Sequence, residues 1–362
     1  MHKYNVLSMN MINNHPLTEQ AGTLPSHVFQ TPGGQVARLF DGDALDAYAS
    51  WPAPSVIVSD GPYGISGYPG DASSPNMLAG MYEPHVRAWS ERATPSTTLW
   101  FWNTEVGWAM VHPVLVAAGW VYRGLNVWDK GVSHIAGNCN GKTMRKFPVV
   151  TEVCAHYVRE PRFFVNGAPL SLQDWFRAEW KRTGLPFSAA NAACGVRNAA
   201  SRKYLASDHL WYAPPPEVFA RLSIFANEHG QADGRPYFNL SEEEMDNDVL
   251  ATSKWEKMQA TFNFEYGVTN VWQCPSNRGR ERLKDASGQV VHSNQKPDAL
   301  MERIILASSQ PADMVWDVFC GTAAGSLSAL RLGRSSCTAE SNPRFQDVAK
   351  QRLLAATVAV GG

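Results

Sequence analysis

The spacing of apolar and polar positions changes several times along the chain. Residues 1–35 are polar, carry Pro and Gly and show no period, which predicts an arm or loop laid on the surface. From Val36 the texture changes. Val36 to Phe40 reads as a short strand, Ala44 to Ser50 as a helix fragment, and Ser55 to Val58 as a buried strand that stops at Ser59-Asp60-Gly61-Pro62-Tyr63. A helix around Tyr82 to Arg92, a strand Thr98 to Trp102, a helix near Val106 to Ala118 and a strand Val121 to Trp128 follow. The alternation breaks near Gly131. It returns with helix Pro297 to Ser308, strand Met314 to Phe319, helix Ser326 to Leu332, strand Ser336 to Glu340 and helix Pro343 to Ala356.

Alternating strands and helices predict an α/β fold, a Rossmann-like and mostly parallel sheet of seven strands flanked by helices. Residues 131–290 are irregular, basic and aromatic, and are read as an inserted lobe. Within it, Ser171 to Thr183, Ser188 to Cys194 and Arg197 to Leu205 read as three helices with a turn at Gly195, a pattern resembling a helix-turn-helix near 171–205.

Composition narrows the class. A chain of 362 residues, 44% hydrophobic and 18% charged, has the apolar material for one large core. No stretch approaches the roughly 18 to 20 uncharged apolar residues of a membrane span, and Met1 to Asn14 has no apolar run after a basic cluster, so a soluble cytoplasmic protein is expected. The six cysteines show no Cys-x-x-Cys pair and no short Cys/His spacing suited to zinc, so no metal site is expected. A formal charge of −1 leaves phosphate binding to local patches. One holds Lys181, Arg182, Arg197, Arg202 and Lys203 without an acid. Another holds Arg278, Arg280, Arg282 and Lys284 around Glu281.

The chemistry concentrates in three segments. Val315-Trp316-Asp317-Val318-Phe319-Cys320-Gly321-Thr322-Ala323-Ala324-Gly325 is an apolar strand entering a turn of small residues, where a ligand can approach the backbone. About 20 residues later the next strand ends in Glu340, placed to accept hydrogen bonds from ribose hydroxyls. The glycines are spaced G-x-x-x-G rather than G-x-G-x-x-G, which suits S-adenosylmethionine, a nucleoside without phosphate, better than a dinucleotide. Upstream, His292-Ser293-Asn294-Gln295-Lys296-Pro297 sets polar groups just before a helix.

Asp60-Gly61-Pro62-Tyr63 follows a buried strand. An exocyclic amino group on a base is a poor nucleophile because its lone pair is delocalised into the ring. Accepting its N–H bonds through Asp60 and the Gly61 or Pro62 carbonyl favours the pyramidal nitrogen that can attack a sulfonium methyl. Tyr63 can stack on a base drawn out of the duplex. Trp100 and Trp102 read either as core or as walls of a base pocket.

The order of an Asp-Pro-Pro-Tyr-like motif, a variable segment, a His-x-x-Gln-Lys-Pro-like motif and a Phe-x-Gly-like loop resembles the permuted, β-class DNA amino-methyltransferases, over about 36–130 and 291–356. The resemblance implies a catalytic half at 36–130, a target-recognition region at 131–290 and a cofactor half at 291–362. It implies catalytic and base-holding roles for Asp60, Pro62 and Tyr63, and S-adenosylmethionine binding by Phe319, Gly321 and Thr322, with Asp317 before them. Glu340 would hold the ribose, His292, Gln295 and Lys296 would close over the cofactor, and Asp43 would add a contact. Lys181, Arg182, Arg197, Asn198, Arg202 and Lys203 are the expected DNA contacts.

Gly61 and Ala323 depart from the pattern, which has Pro and Gly there, so a looser loop at the catalytic carbonyl and less room for the methionine end of the cofactor are expected. The partners implied are double-stranded DNA, a cognate restriction endonuclease and a second copy of the chain. Asp60 points to N6 of adenine. Ser59 and the two tryptophans keep N4 of cytosine open, and a non-catalytic DNA-binding regulator is the alternative of another class. An RNA or protein amide methyltransferase fits less well, since those more often carry Asn where this chain has Asp60.

Overall fold

The computed structural model describes residues 26–67, 70–135, 142–161, 163–165, 168–208, 210–232, 234–239, 255–256, 258–284, 288–291 and 295–358. Val56–Ser59 (β3) is wholly buried and pairs in parallel on both sides, which is why its sequence, Val-Ile-Val-Ser, is a continuous run rather than an alternation. On one side lie Met314–Asp317 (β10), Ser335–Glu340 (β11) and Val36–Asp41 (β2), all parallel to it. On the other lies Thr98–Asn103 (β4). Ser26–Gln30 (β1) pairs antiparallel with β2 at one edge. Thr151–Val158 (β6) runs antiparallel between β4 and Val121–Asp129 (β5), Phe163–Val165 (β7) and Ala168–Leu170 (β8) form a separate antiparallel pair, and Val271–Gln273 (β9) closes the other edge of the main sheet.

The sheet among the described residues therefore has nine strands in the order β1-β2-β11-β10-β3-β4-β6-β5-β9, not the seven expected. Two of the differences have one cause. β1 lies in the segment read as an unstructured arm, and β6 in the segment read as lying outside the sheet. β1, Ser-His-Val-Phe-Gln, is a largely exposed edge strand with little apolar signal, and the apolar pattern of β6 is interrupted by Glu152 and His156.

Helices cover both faces. Leu78–Arg92 and Glu105–Ala117 pack Tyr82, Val86, Trp89, Val111 and Leu115 against Ile57, Leu99 and Phe101. Asp298–Ser308 packs Leu300, Ile304 and Ile305 against Val56, Val58, Trp100 and Val315. Trp100 and Trp102 are buried here, and Trp100 is pinned by a 2.9 Å bond to Ser308 and by stacking on His156. Trp100 is thus a core residue rather than a pocket wall.

Helices Leu172–Arg182, Ala189–Ala193, Ala199–Tyr204 and Pro216–His229 gather around a separate core of Trp175, Phe176, Trp180, Phe219, Leu222 and Trp255. The first three lie where the sequence placed a helix-turn-helix, with Gly195 left-handed at the turn (φ 65°).

The order of strands reverses between β10 and β3: β10 leads to β11 on one side, while β3 leads to β4 on the other. Open α/β sheets place ligands in the crevice outside the carboxyl ends of strands at such a point. Asp60, Asp317 and Glu340 all stand at that edge.

Candidate active site

Asp60 leaves β3 into a cluster of four further charged or polar side chains. The Lys296 ammonium donates to Asp60 Oδ1 at 2.7 Å and to the Tyr63 hydroxyl at 3.0 Å, and lies 3.2 Å from Glu152 Oε2. The Tyr63 hydroxyl reaches Asp60 Oδ1 at 2.9 Å and Glu152 Oε2 at 3.0 Å, so its single proton serves one of the two carboxylates while its oxygen accepts from Lys296. Lys130 pairs with Glu152 Oε1. Two carboxylates thus face two ammoniums, and the Tyr63, Trp102 and Trp128 rings lie 5.1, 5.5 and 5.8 Å from the Lys296 nitrogen.

Burial would raise the Glu152 pKa, but the charges of Lys296 and Lys130 outweigh it and hold the group at about 2. Burial would likewise lower the pKa of Lys296, and Asp60 and Glu152 reverse that, leaving it above its ordinary value. Burial and the neighbouring carboxylates of Asp60 and Glu152 raise the Tyr63 phenol, which keeps its proton. Asp60 Oδ1 is occupied by Lys296 and Tyr63, whereas among the described residues nothing donates to Oδ2.

The loop carbonyls divide as sharply. The Pro62 carbonyl already accepts from Asn103 Nδ2 at 2.9 Å and from the Tyr82 hydroxyl at 3.1 Å. Of the two carbonyls the sequence offered as acceptors, the described residues leave only that of Gly61 open. Gly61 itself is required: a Cβ there would lie 2.6 Å from Phe319 Cε2 and 2.7 Å from the Tyr82 hydroxyl. With Gly at this position the 60–63 loop can sit against the Phe319 ring. This is also where the two halves of the site meet.

On the other side of the crevice, Glu340 Oε2 accepts the Gly321 N–H and Oε1 the Asn342 N–H, both at 2.8 Å. Asp317 Oδ2 accepts the Ser326 N–H at 2.9 Å, fixing the start of helix Ala324–Arg331. Burial pushes Asp317 up to about 7 and raises Glu340 as well. The ion pairs of the described residues include neither. Asp43 caps helix Ala44–Ala47, is exposed, and lies 4.0 Å from His85, whose ring meets Phe319 edge-on at 4.9 Å.

Some expected residues stand elsewhere. Lys296, expected to close over the cofactor, is bound to Asp60 and Glu152. Thr322 is buried and its carbonyl and hydroxyl accept from Arg352. Gln295 is half-buried, and His292 lies outside the described residues. Among the expected DNA contacts, Lys181, Arg197, Asn198, Arg202 and Lys203 are exposed. Arg182 instead bonds Glu179 at 2.8 Å and the Pro236 carbonyl at 3.0 Å, and lies over the Tyr237 ring, so it serves the lobe's own packing.

Glu152 and Lys130 were missed by sequence reasoning. The available signal was an acid inside the apolar stretch Val149-Val150-Thr151-Glu152-Val153-Cys154-Ala155, since an unpaired carboxylate there would be costly.

A 113-residue stretch is 38% identical to the Type II methyltransferase M.HinfI of Haemophilus influenzae, covering 29% of this chain and 32% of that protein. A 75-residue stretch is 36% identical to the Type II methyltransferase M1.MboII of Moraxella bovis, covering 21% and 29%. The matches thus span about a third of those relatives. The PvuII DNA methyltransferase (cytosine-N4-specific) is similar in structure at a TM-score of 0.49 with 11% identity, covering 90% of each chain. The family model described as DNA methylase, N6_N4_Mtase, matches residues 55–351, and the chain belongs to that family.

Proposed function

We propose that this chain transfers a methyl group from S-adenosylmethionine to an exocyclic amino nitrogen of a base in DNA, with N6 of adenine as the target. The observation that carries the reading is the pair of open acceptors, Asp60 Oδ2 and the Gly61 carbonyl, beside the Phe319–Gly321 turn at the strand-order reversal. Asp60, with Oδ1 held by Lys296 and Tyr63, turns Oδ2 toward one amino hydrogen, and the Gly61 carbonyl takes the other. Both bonds place electron density on the nitrogen and favour its pyramidal form. Tyr63, anchored through its hydroxyl, offers its ring to the flipped base. Asp60 also stands ready to accept the proton that the nitrogen sheds after transfer, for release to solvent.

S-adenosylmethionine supplies the electrophilic methyl group. The residues present suit it: the carboxyls of buried Asp317 and half-buried Glu340 have no cationic partner among the described residues, which fits a ligand bearing a sulfonium and an ammonium. Glu340 and Asp43 would hold the nucleoside, and Phe319 and Gly321 its flank.

Asp60 favours adenine over cytosine in this reading. The burial of Ser59 and the place of Trp100 in the core support it, while Trp102, its ring 5.5 Å from the Lys296 nitrogen, borders the same cluster and leaves N4 of cytosine as the alternative. The natural partners in this reading are duplex DNA and, as for a Type II modification enzyme, a nuclease cutting the same sequence.

Incubating the protein with DNA and S-adenosylmethionine and separating the nucleosides by mass tests it. N6-methyladenine is expected, N4-methylcytosine would overturn the base assignment, and no methylated base would overturn the activity. Asp60→Ala should lose roughly 100- to 1,000-fold in turnover, as loss of an oxyanion donor does, while cofactor affinity persists.

A further inference from the structure

The β5–β6 connection opens directly from the catalytic cluster. Lys130 stands at its start and Glu152 at its end, and the Lys130 N–H closes its neck on the Val150 carbonyl at 3.0 Å. Between them, residues 131–150 contain no acid. Lys142, Arg145 and Lys146 are exposed, and the ring of Phe147 is 94% exposed.

A second basic segment meets the first. β9 runs parallel to β5, the Cys274 N–H donates to the Asp129 carbonyl at 3.1 Å, and Trp128 donates to the Cys274 carbonyl at 2.6 Å. His134 and Ser276 lie 3.3 Å apart across the two connections. Burial lowers the pKa of the His134 ring, and the charges of Lys130, Arg278 and Arg282 lower it further against Glu152. The start of one connection and the cations of the other thus meet at His134, on the rim beside the neck that ends in Glu152, itself one hydrogen bond from Tyr63.

We infer that this rim, formed by Arg145, Lys146 and Phe147 of one connection and Arg278 and Arg282 of the other, seats the DNA backbone beside the flipped nucleotide, with Phe147 stacking in the duplex where the base has left. The inference rests on the proposed function and adds the place of contact. Three facts converge on it. The whole chain carries a charge of −1, so phosphate binding needs a local excess of cations, and the rim supplies one at the site itself. An aromatic ring almost wholly in water, next to Lys146, is the combination that nucleic-acid grooves use to stack bases and track phosphates. The drawn-out base must enter beside Tyr63, which brings its neighbouring phosphates to this edge of the sheet.

The test is duplex binding by the full chain, titrated across salt concentrations and read independently of turnover. Arg145→Ala with Lys146→Ala, and Arg278→Ala with Arg282→Gln, should each weaken binding to duplexes of any sequence and reduce the salt slope by roughly one to two, with cofactor affinity and Tm unchanged. Gln at 282 retains a donor for the Asn277 carbonyl, which Arg282 Nε now serves at 3.0 Å. Phe147→Ala should lower methylation of a paired duplex by roughly tenfold or more and recover on a duplex whose target base faces an abasic position, because that base costs little to extrude.

Wild-type affinity and slope in both double variants would overturn the inference. So would a Phe147→Ala defect that the abasic duplex leaves unrelieved. A wild-type protein that binds duplex but methylates no base would instead overturn the proposed activity, and the binding series would still decide where the duplex sits.

Discussion

The two sides of the crevice hold their buried carboxylates in opposite ways. On the catalytic side, Asp60 and Glu152 are matched by Lys296 and Lys130, so the cluster is neutral and closed on itself except at Asp60 Oδ2. On the cofactor side, Asp317 and Glu340 are met by the N–H groups of Ser326, Gly321 and Asn342 and by no side-chain cation among the described residues. The first arrangement fixes a geometry. The second leaves negative charge for a ligand to neutralise. The difference suits the transfer proposed above, with a rigid, neutral seat for the base on one side and an anionic seat for the cationic donor on the other.

Removing one member from each side should therefore have unequal effects. Glu152→Ala leaves half-buried Lys130 without its carboxylate and buried Lys296 with Asp60 alone, and should destabilise the fold by about 3–5 kcal/mol in denaturant titration. Asp317→Asn keeps an acceptor for Ser326 and removes an anion that burial disfavours, so the fold should hold while cofactor affinity falls. Equal losses of stability in the two variants would erase the contrast between the sides.

Stability against pH sharpens the same comparison. Glu152 is depressed from 4.5 to about 2, so its contribution is full above about 4.5 and is lost as pH falls through 2. Asp317 is raised from 3.8 to about 7, so its contribution is full below about 3.8 and is lost as pH rises through 7. Melting temperatures between pH 4 and 8 should accordingly show an alkaline loss that Asp317→Asn flattens. An unchanged profile in that variant would mean that Asp317 is ionised throughout.

How much of this could be read beforehand follows from where each signal lies in the chain. Parallel strands such as β3 and β10 announce themselves as short apolar runs ending in Asp60 and Asp317, and the residues that matter follow at once. Glu152 did not, because its partners Lys296, Tyr63 and Lys130 come from three distant segments that only the sheet brings together. Lys296 was singled out for the cofactor, and its bonds to Asp60 and Glu152 were not visible, since adjacency to the cofactor strand in sequence says nothing about which strand end a side chain faces. The three short helices of the lobe were visible as pattern, yet the interior use of Arg182 depended on Glu179 and Tyr237 packing under it.

The two loops that depart from the family pattern also behave oppositely, and Gly61 is the stricter. A Cβ at Gly61 would crowd Phe319 and the Tyr82 hydroxyl, so Gly61→Ala should cost about 1–3 kcal/mol and disturb both the Pro62 carbonyl and the Phe319 ring. Chemical denaturation and a cofactor titration on that variant read both effects. A variant with wild-type stability and affinity would show that the loops do not depend on one another.

Ala323 should be the most forgiving position. It is left-handed, at φ 63° and ψ 37°, where a Cβ costs about 1–2 kcal/mol that Gly would not pay. Against that, Gly would free the unfolded chain by about 0.4–1 kcal/mol and would lose a buried methyl worth about 0.8 kcal/mol. The terms cancel to within about 1 kcal/mol, so Ala323→Gly should leave Tm nearly unchanged. From sequence the Ala323 methyl was expected to narrow the room for the methionine end of the cofactor. The structure packs it with Ala37, Leu39, Leu327 and Leu353 in the core beneath the loop. Cofactor affinity should accordingly be the same in Ala323→Gly as in the wild type, and a tenfold tightening on calorimetric titration would place the methyl in the cofactor's path after all.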